Sequence, residues 1–199
     1  MQVSNISVRI FKMTKIKAGN IETGMYLMHL DKPHKVVKKK FVSPGKGSAF
    51  TKTKLENLVT GGVVDYVFKS HDVLDEIEVE SREMQFLYTT GDQAVFMDPY
   101  NYEQLEVALS VLGTKKDYLV PEIKAYVIIY KDQPLTVIMP MKIEMEVVEA
   151  EEAVAGDRSS AGTKPVTMST GLVVQVPLFI KQGERLIVDT TTGKYVSRA

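Results

Sequence analysis

Apolar and polar side chains alternate along this chain in short runs, and turn-forming residues cut the runs apart. Val64, Tyr66 and Phe68 share one face of such a run, with Asp65 and Val67 opposite. Ile143, Met145 and Val147 alternate with Glu144 and Glu146, and Phe50-Thr51-Lys52-Thr53-Lys54-Leu55 belongs to a third run. Successive side chains of a strand point to opposite faces of a sheet, so each run predicts a half-buried strand. The separators are Asp31-Lys32-Pro33, Ser43-Pro44-Gly45, Thr60-Gly61-Gly62, Thr90-Gly91-Asp92, Lys131-Asp132-Gln133-Pro134 and Thr192-Gly193. Short strands at this spacing predict an all-β fold of small barrels or sandwiches. One stretch departs from the pattern. Leu105, Ala108, Leu109 and Leu112 are spaced as on a helix, with Asn101 and Gln104 placed to cap its start and Gly113 to end it.

Charge divides the chain more sharply than hydropathy does. Residues 1–54 hold twelve Lys/Arg against two Asp/Glu, residues 55–157 seven against 21, and residues 158–199 six against two. The chain of 199 residues is neutral overall, yet it has a basic front, an acidic body and a mildly basic tail. A basic front suits a polyanion such as RNA, and a solvated basic face is the plainer alternative. The acidic stretch 72–80 and the break at Met139-Pro140-Met141 predict an extension at 1–12 and three domains at 13–76, 77–140 and 141–199, each small for a barrel. Met13 is a second candidate start. The second and third blocks could be duplicated folds, although no sequence repeat is visible.

Several function classes drop out. Without cysteine there is no disulfide, thiolate zinc site or cysteine nucleophile. The longest apolar runs, 173–180 and 125–130, are too short to span a bilayer, and no charged-apolar-small leader opens the chain. No membrane partner is expected, and the missing cysteines leave the redox compartment undetermined. His29, His34 and His71 lack metal-ligand spacing. Asp72, Asp75, Glu76, Glu78 and Glu80 read more simply as a solvated edge than as a cation site. No Gly-x-Ser-x-Gly or His-Glu-x-x-His occurs. Neither an enzyme nor a cofactor or metal is expected.

The most unusual local sequence is Ser43-Pro44-Gly45-Lys46-Gly47-Ser48, a tight turn between the strand-like runs 36–42 and 49–55. Its glycines leave Lys46 at a narrow tip. It is not a Walker A loop, and Phe50 occupies the third glycine position of a dinucleotide fingerprint. On residue chemistry alone it is as readily an ordinary hairpin with a solvated lysine as a functional tip.

Two motifs resemble bacterial translation elongation factor P. The first is Pro44-Gly45-Lys46-Gly47-Ser48-Ala49-Phe50 with Lys54-Leu55, Asn57-Leu58 and Thr60-Gly61. The second runs from Lys164-Pro165-Val166-Thr167-Met168-Ser169-Thr170-Gly171 through Val176-Pro177-Leu178-Phe179-Ile180 to Gly193 and Tyr195-Val196-Ser197-Arg198. The resemblance covers residues 13–199. It implies an SH3-like, KOW-type N-terminal barrel followed by two OB barrels. It also implies a factor that binds both ribosomal subunits beside peptidyl-tRNA and relieves stalling at consecutive prolines by positioning the CCA end. On this reading the protein is a cytoplasmic monomer. Lys46, flanked by Pro44, Gly45 and Gly47, is the residue that a lysine-modifying enzyme extends. Lys38, Lys39, Lys40, Lys52 and Lys54 are the RNA-binding candidates on charge, though residues 38–40 cannot all face one side of a strand. Tyr195 and Arg198 are the candidates for the small subunit. They stand three apart, so they share a face only if the strand bends. Two departures from the family stand out: Val166 replaces the usual alanine, and Gly156-Asp157-Arg158 replaces the usual Gly-Asp-Thr. The alternatives are a paralogue of that family or a general RNA-binding OB protein. The latter needs exposed aromatic platforms, whereas Phe86, Tyr88 and Phe96 read as core or hairpin pairs.

Overall fold

A computed structural model describes residues 13–151 and 162–199, so the expected extension and the Gly156-Asp157-Arg158 triplet lie outside the described residues. The first sheet has six strands: β1 (Met13–Lys17), β2 (Tyr26–His29), β3 (Lys32–Val42), β4 (Phe50–Asn57), β5 (Val63–Lys69) and β6 (Val73–Ile77). Their order is β1-β6-β2-β3-β4-β5. Ala18, Ile21, Leu27, Val36, Leu55 and Phe68 form its core, with Ile16, Met25 and Leu74 packed against them. Two threonines face this interior from β4, and each hydroxyl is satisfied: Thr51 donates to the Ala18 carbonyl at 2.9 Å and Thr53 to that of Tyr66 at 3.0 Å.

Two expectations are corrected here. The turn before β3 is confined to Leu30 and Asp31, with φ of 51° and 57°. Two left-handed residues make the two-residue hairpin whose twist matches its strands, so Lys32 and Pro33 open β3 instead of lying in a turn. The front half of the acidic stretch 72–80 is not a separator but β6, paired with both β1 and β2. Leu74 on the core and buried Ile77 anchor it there.

The second sheet contains β7 (Glu80–Thr90), β8 (Gln93–Met97), β9 (Gln104–Ala108), β10 (Lys124–Tyr130) and β11 (Gln133–Ile138), in the order β11-β10-β7-β8-β9. The expected helix is mostly β9, whose residues pair with β8 from Gln104↔Met97 to Ala108↔Gln93. Only Leu109–Leu112 form an α-turn, continued by a 3-10 turn at Gly113–Tyr118. Leu105 and Val107 alternate as well as they spiral, and pairing with β8 decides between the two. Gly113 does end the α-turn, at φ 56°. Asn101 caps no helix; its side-chain oxygen accepts from the Glu103 amide.

The third sheet contains β12 (Lys142–Ala150), β13 (Thr163–Met168), β14 (Val173–Pro177), β15 (Arg185–Asp189) and β16 (Tyr195–Arg198), in the order β14-β13-β12-β15-β16. Counted within each sheet, the second and third have one order, 3-2-1-4-5 after allowing for which end is read first in strand pairing, and in both the first strand is central and bulged, at 86–88 and at 147–149. This is the five-stranded OB arrangement used twice, without a repeated sequence.

By packing, residues 13–81 with 128–136 make one compact unit, and residues 82–127 with 137–199 another. Inside the second unit, Thr170 donates from its hydroxyl to the Asp117 carbonyl at 2.6 Å. The hydroxyl of buried Tyr118 lies where a side chain on Gly193 would meet it at 3.2 Å.

Candidate nucleic-acid interface

The lysine loop joins β3 to β4, and residues 43–48 are all exposed. Its two glycines do different work. Gly47 has φ +106°, a conformation that a side chain resists, whereas a Cβ at Gly45 would meet nothing. Lys46 therefore projects from a loop whose shape depends on Gly47 and whose slimness depends on Gly45.

The strands leading to this loop carry the candidate lysines. On β4, Thr51, Thr53, Leu55 and Asn57 are buried, so Lys52 and Lys54 point outward. On β3 a bulge interrupts the register between Val36↔Leu55 and Lys38↔Lys54. Unbroken alternation from buried Val36 would have turned Lys38 and Lys40 inward and Lys39 outward. The extra residue reverses this. Lys38 and Lys40 stand outside, directly opposite Lys54 and Lys52, while Lys39 pairs with Thr53 on the other face. There its amine meets Glu22 at 2.6 Å.

The outer face of β3-β4-β5 thus reads in rows: Lys38–Lys54–Asp65, Lys40–Lys52–Val67 and Val42–Phe50–Lys69. The last row adjoins the lysine loop. Four of the five lysine candidates come together here, and Lys69, which charge alone did not single out, joins them. The signal for it was present in the period of two that runs from Asp65 through Val67. Lys54 lies 3.5 Å from Asp65, and the Lys52 amine sits 5.8 Å from the Phe50 ring centre. Like charges directly opposite each other destabilise a sheet, so two such pairs in succession are a local conflict that a bound polyanion would relieve.

At the far end of the chain a second bulge has the same kind of effect. β16 pairs with β15 as Val188↔Tyr195, then Ile187↔Ser197 and Leu186↔Arg198. The extra residue, Val196, puts Tyr195 and Arg198 opposite two residues of one face, which is the bend their spacing requires. Arg198 lies over the Phe179 ring at 5.1 Å and 3.9 Å from Glu184.

The histidines at 29 and 34 have structural roles. His34 is buried, with Nδ1 2.8 Å from the Lys32 carbonyl and Nε2 3.4 Å from the Asn57 amide nitrogen. His29 packs against Tyr66 at 4.4 Å between ring centres; burial, then the neighbouring His34, lowers its pKa. Among the described residues no group of three or more His, Asp or Glu could hold a metal, and no helix is long and apolar enough to cross a membrane.

Comparison with known proteins places these features in a lineage. Residues 17–74 match the model of the elongation factor P (EF-P) KOW-like domain, 79–137 that of the EF-P OB domain, and 143–198 that of the elongation factor P C-terminal region. Elongation factor P of Treponema denticola is 38% identical over 183 residues, covering 92% of this chain and 98% of that relative. The chain belongs to the elongation factor P family. It is a translation elongation factor, and the all-β series of a KOW-like domain followed by OB-type sheets is the family's fold. The lysine loop and its ladder fall in the KOW-like match; Tyr195 and Arg198 fall in the C-terminal one. Two solved structures are similar over 64% of this chain: translation initiation factor 5A from Methanococcus jannaschii (21% identical, TM-score 0.47, 95% of that chain) and an eIF-5A family protein from Naegleria fowleri (18%, 0.49, 99%).

Proposed function

We propose that this protein binds the ribosome beside peptidyl-tRNA and speeds peptide-bond formation at consecutive prolines by positioning the CCA end. The observation that carries this reading is the ladder of opposed lysines leading to the Lys46 tip. Phosphates are the natural partner of such a face, and an RNA helix laid along it would guide the tip toward the end of the strand. Lys46 is the working residue, and a lysine-modifying enzyme lengthens it. Lys38, Lys40, Lys52 and Lys54, joined by Lys69, hold the acceptor stem, while Tyr195 and Arg198 meet the small subunit. Domains at 13–76, 77–140 and 141–199 divide this work. The factor acts as a cytoplasmic monomer and makes or breaks no bond itself. Positioning alone supplies the gain: tenfold in rate needs about 1.4 kcal/mol, well within the reach of orientation effects.

The test is translation of a triple-proline reporter by purified ribosomes with the native, cell-derived factor and with Lys46→Ala. An exposed turn lysine contributes little to stability, so the variant folds with an unchanged melting temperature and loses the acceleration. Full rescue by the alanine variant would refute the role of Lys46.

A further inference from the structure

The second sheet carries a feature that the lysine ladder does not explain. The loop from β8 to β9 is tightly organised: the Tyr100 amide donates to the Asp98 carboxylate at 2.8 Å, the Tyr102 amide to the Asp98 carbonyl at 2.9 Å, and the Asp98 amide to the Glu103 carbonyl at 2.9 Å. This firm loop holds two aromatic rings out in water. Tyr100 is 86% exposed and Tyr102 71%. Tyr102 is held at φ 61°, a left-handed conformation that aromatic residues seldom adopt. Strain kept at an exposed aromatic residue points to recognition, since packing gains nothing from it. On β10, which β7 separates from β8, Tyr126 is also exposed and donates its hydroxyl to the Glu83 carboxylate at 3.1 Å. That bond and the Glu83 charge, with a smaller contribution from Tyr100, raise its pKa, so the phenol remains a neutral donor.

We propose that Tyr100, Tyr102 and Tyr126, with Glu83 against Tyr126 and Glu103 next to Tyr102 in the chain, dock an arginine- and lysine-rich protein segment. Three exposed rings on an OB sheet also fit stacked RNA bases, and charge decides between the two. Residues 78–127 hold nine Asp/Glu against four Lys/Arg. The two cations of the patch already face carboxylates, Arg82 at 3.9 Å from Glu103 and Lys124 at 3.8 Å from Glu83. An RNA backbone would meet net negative charge there. A guanidinium finds both an aromatic face and a carboxylate within one step, and tyrosine is a recurrent anchor of protein interfaces. On the ribosome the segment belongs to a ribosomal protein; for that setting the proposal rests on the function proposed above.

Two measurements test it with the full chain. In solution, a labelled nona-arginine peptide and a labelled oligouridine of equal length are titrated by fluorescence anisotropy. The peptide is expected to bind and to lose about tenfold in affinity in Tyr100→Ala/Tyr126→Ala, and several-fold in Glu103→Gln. Peptide binding that ignores the tyrosines, or oligouridine binding that depends on them, overturns the proposal. On ribosomes, a photoreactive benzoylphenylalanine replaces Tyr100 in a factor first checked for co-sedimentation. The expected cross-link is protease-sensitive, nuclease-resistant and mapped to a basic protein segment. A cross-link to ribosomal RNA, or none from a variant that co-sediments normally, refutes it. Failure of the unsubstituted factor to co-sediment would instead strike the ribosomal role, leaving the peptide titration to judge the patch.

Discussion

Lys39 and Lys40 are adjacent in sequence, yet removing their charges should have opposite effects on stability. Lys40 stands directly opposite Lys52 on the outer face, whereas Lys39 holds Glu22 at 2.6 Å on the inner one. Two unit charges about 5 Å apart repel by roughly 0.8 kcal/mol in water, and cross-strand pairs of this kind are worth about 0.2–1 kcal/mol. Lys40→Gln should therefore raise stability by about 0.5 kcal/mol, or roughly 2–4 °C in a small domain. Lys39→Gln breaks an ion pair whose lysine side chain is 29% exposed and whose Glu22 is 61% exposed, so solvent screening limits the loss to about 0.2–1 kcal/mol. The Lys40 shift should shrink in about 1 M salt, where the screening length falls to about 3 Å, whereas the Lys39–Glu22 contact at 2.6 Å is screened less. Ribosome affinity separates the two again. Lys40→Gln removes one phosphate contact and should flatten the plot of log affinity against log salt by about one unit, and Lys39→Gln should leave that slope unchanged. Thermal melts at low and high salt, with a salt titration of binding, measure both. If the two variants move stability in the same direction, the bulged register is wrong. If Lys40→Gln leaves the slope intact, the outer face is not the RNA face.

Gly47→Ala should cost about 1 kcal/mol because its φ of +106° suits only glycine, whereas Gly45→Ala, with nothing for its Cβ to meet, should melt like wild type; equal losses would mean the loop has another shape. Asp189 accepts from the amides of Thr191 and Thr192 and from the Thr192 hydroxyl, and the Thr192 bonds lead in depressing its pKa below the ordinary 3.8. A depressed carboxylate stabilises the fold above its unfolded pKa and loses that contribution as pH falls through the folded one. Asp189→Asn should thus melt lower at pH 7 and match wild type in strong acid; a deficit that persists there would exclude ionisation as the cause. Arg198→Ala should lose at most about 1 kcal/mol, from an exposed cation–π contact with Phe179 and a loose ion pair with Glu184, as read by thermal melting. A loss of several kcal/mol would make Arg198 a structural residue first.

The legible part of the sequence was its period of two. The runs at 50–55 and 143–147 became β4 and β12 because alternation fixes which side chains can be buried, whereas the run around 64–68 became β5, last in its sheet, where only Phe68 is buried and Val64 and Tyr66 are exposed. The glycine turns at Gly61, Gly91 and Gly193 fell where positive φ was needed. Two kinds of error share one cause, which is competition from a partner strand. Residues 104–108 fit a helix by spacing but had β8 to pair with, and residues 73–77 read as part of an acidic separator but filled a gap between β1 and β2. Tyr88, read as a hairpin or core aromatic, is a hairpin residue paired with Val95 just past a bulge, and at 52% exposed it is not part of the core.

That bulge belongs with the two that shape the candidate sites, and together they mark where sequence reading stops. A bulge adds one residue and inverts the face of every side chain beyond it. At Val37 the inversion decides whether β3 adds Lys39 alone to the outer face or Lys38 and Lys40, which stand opposite Lys54 and Lys52; at Val196 it decides whether Tyr195 and Arg198 share a face. Neither valine differs in chemistry from its neighbours in a strand, so no residue type announces the shift. The pressure that selects it is energetic. Without the first bulge, Lys38 and Lys40 would turn toward the side of buried Thr51 and Thr53, where an unpaired ammonium is far costlier than a like-charged neighbour in water. The sheet accepts the smaller repulsion, and that choice concentrates positive charge beside the lysine loop. In a chain with no net charge, no long-range monopole draws the protein to RNA. An attraction of the kind proposed must be local to this face, and the register that builds the face matters as much as the lysines in it.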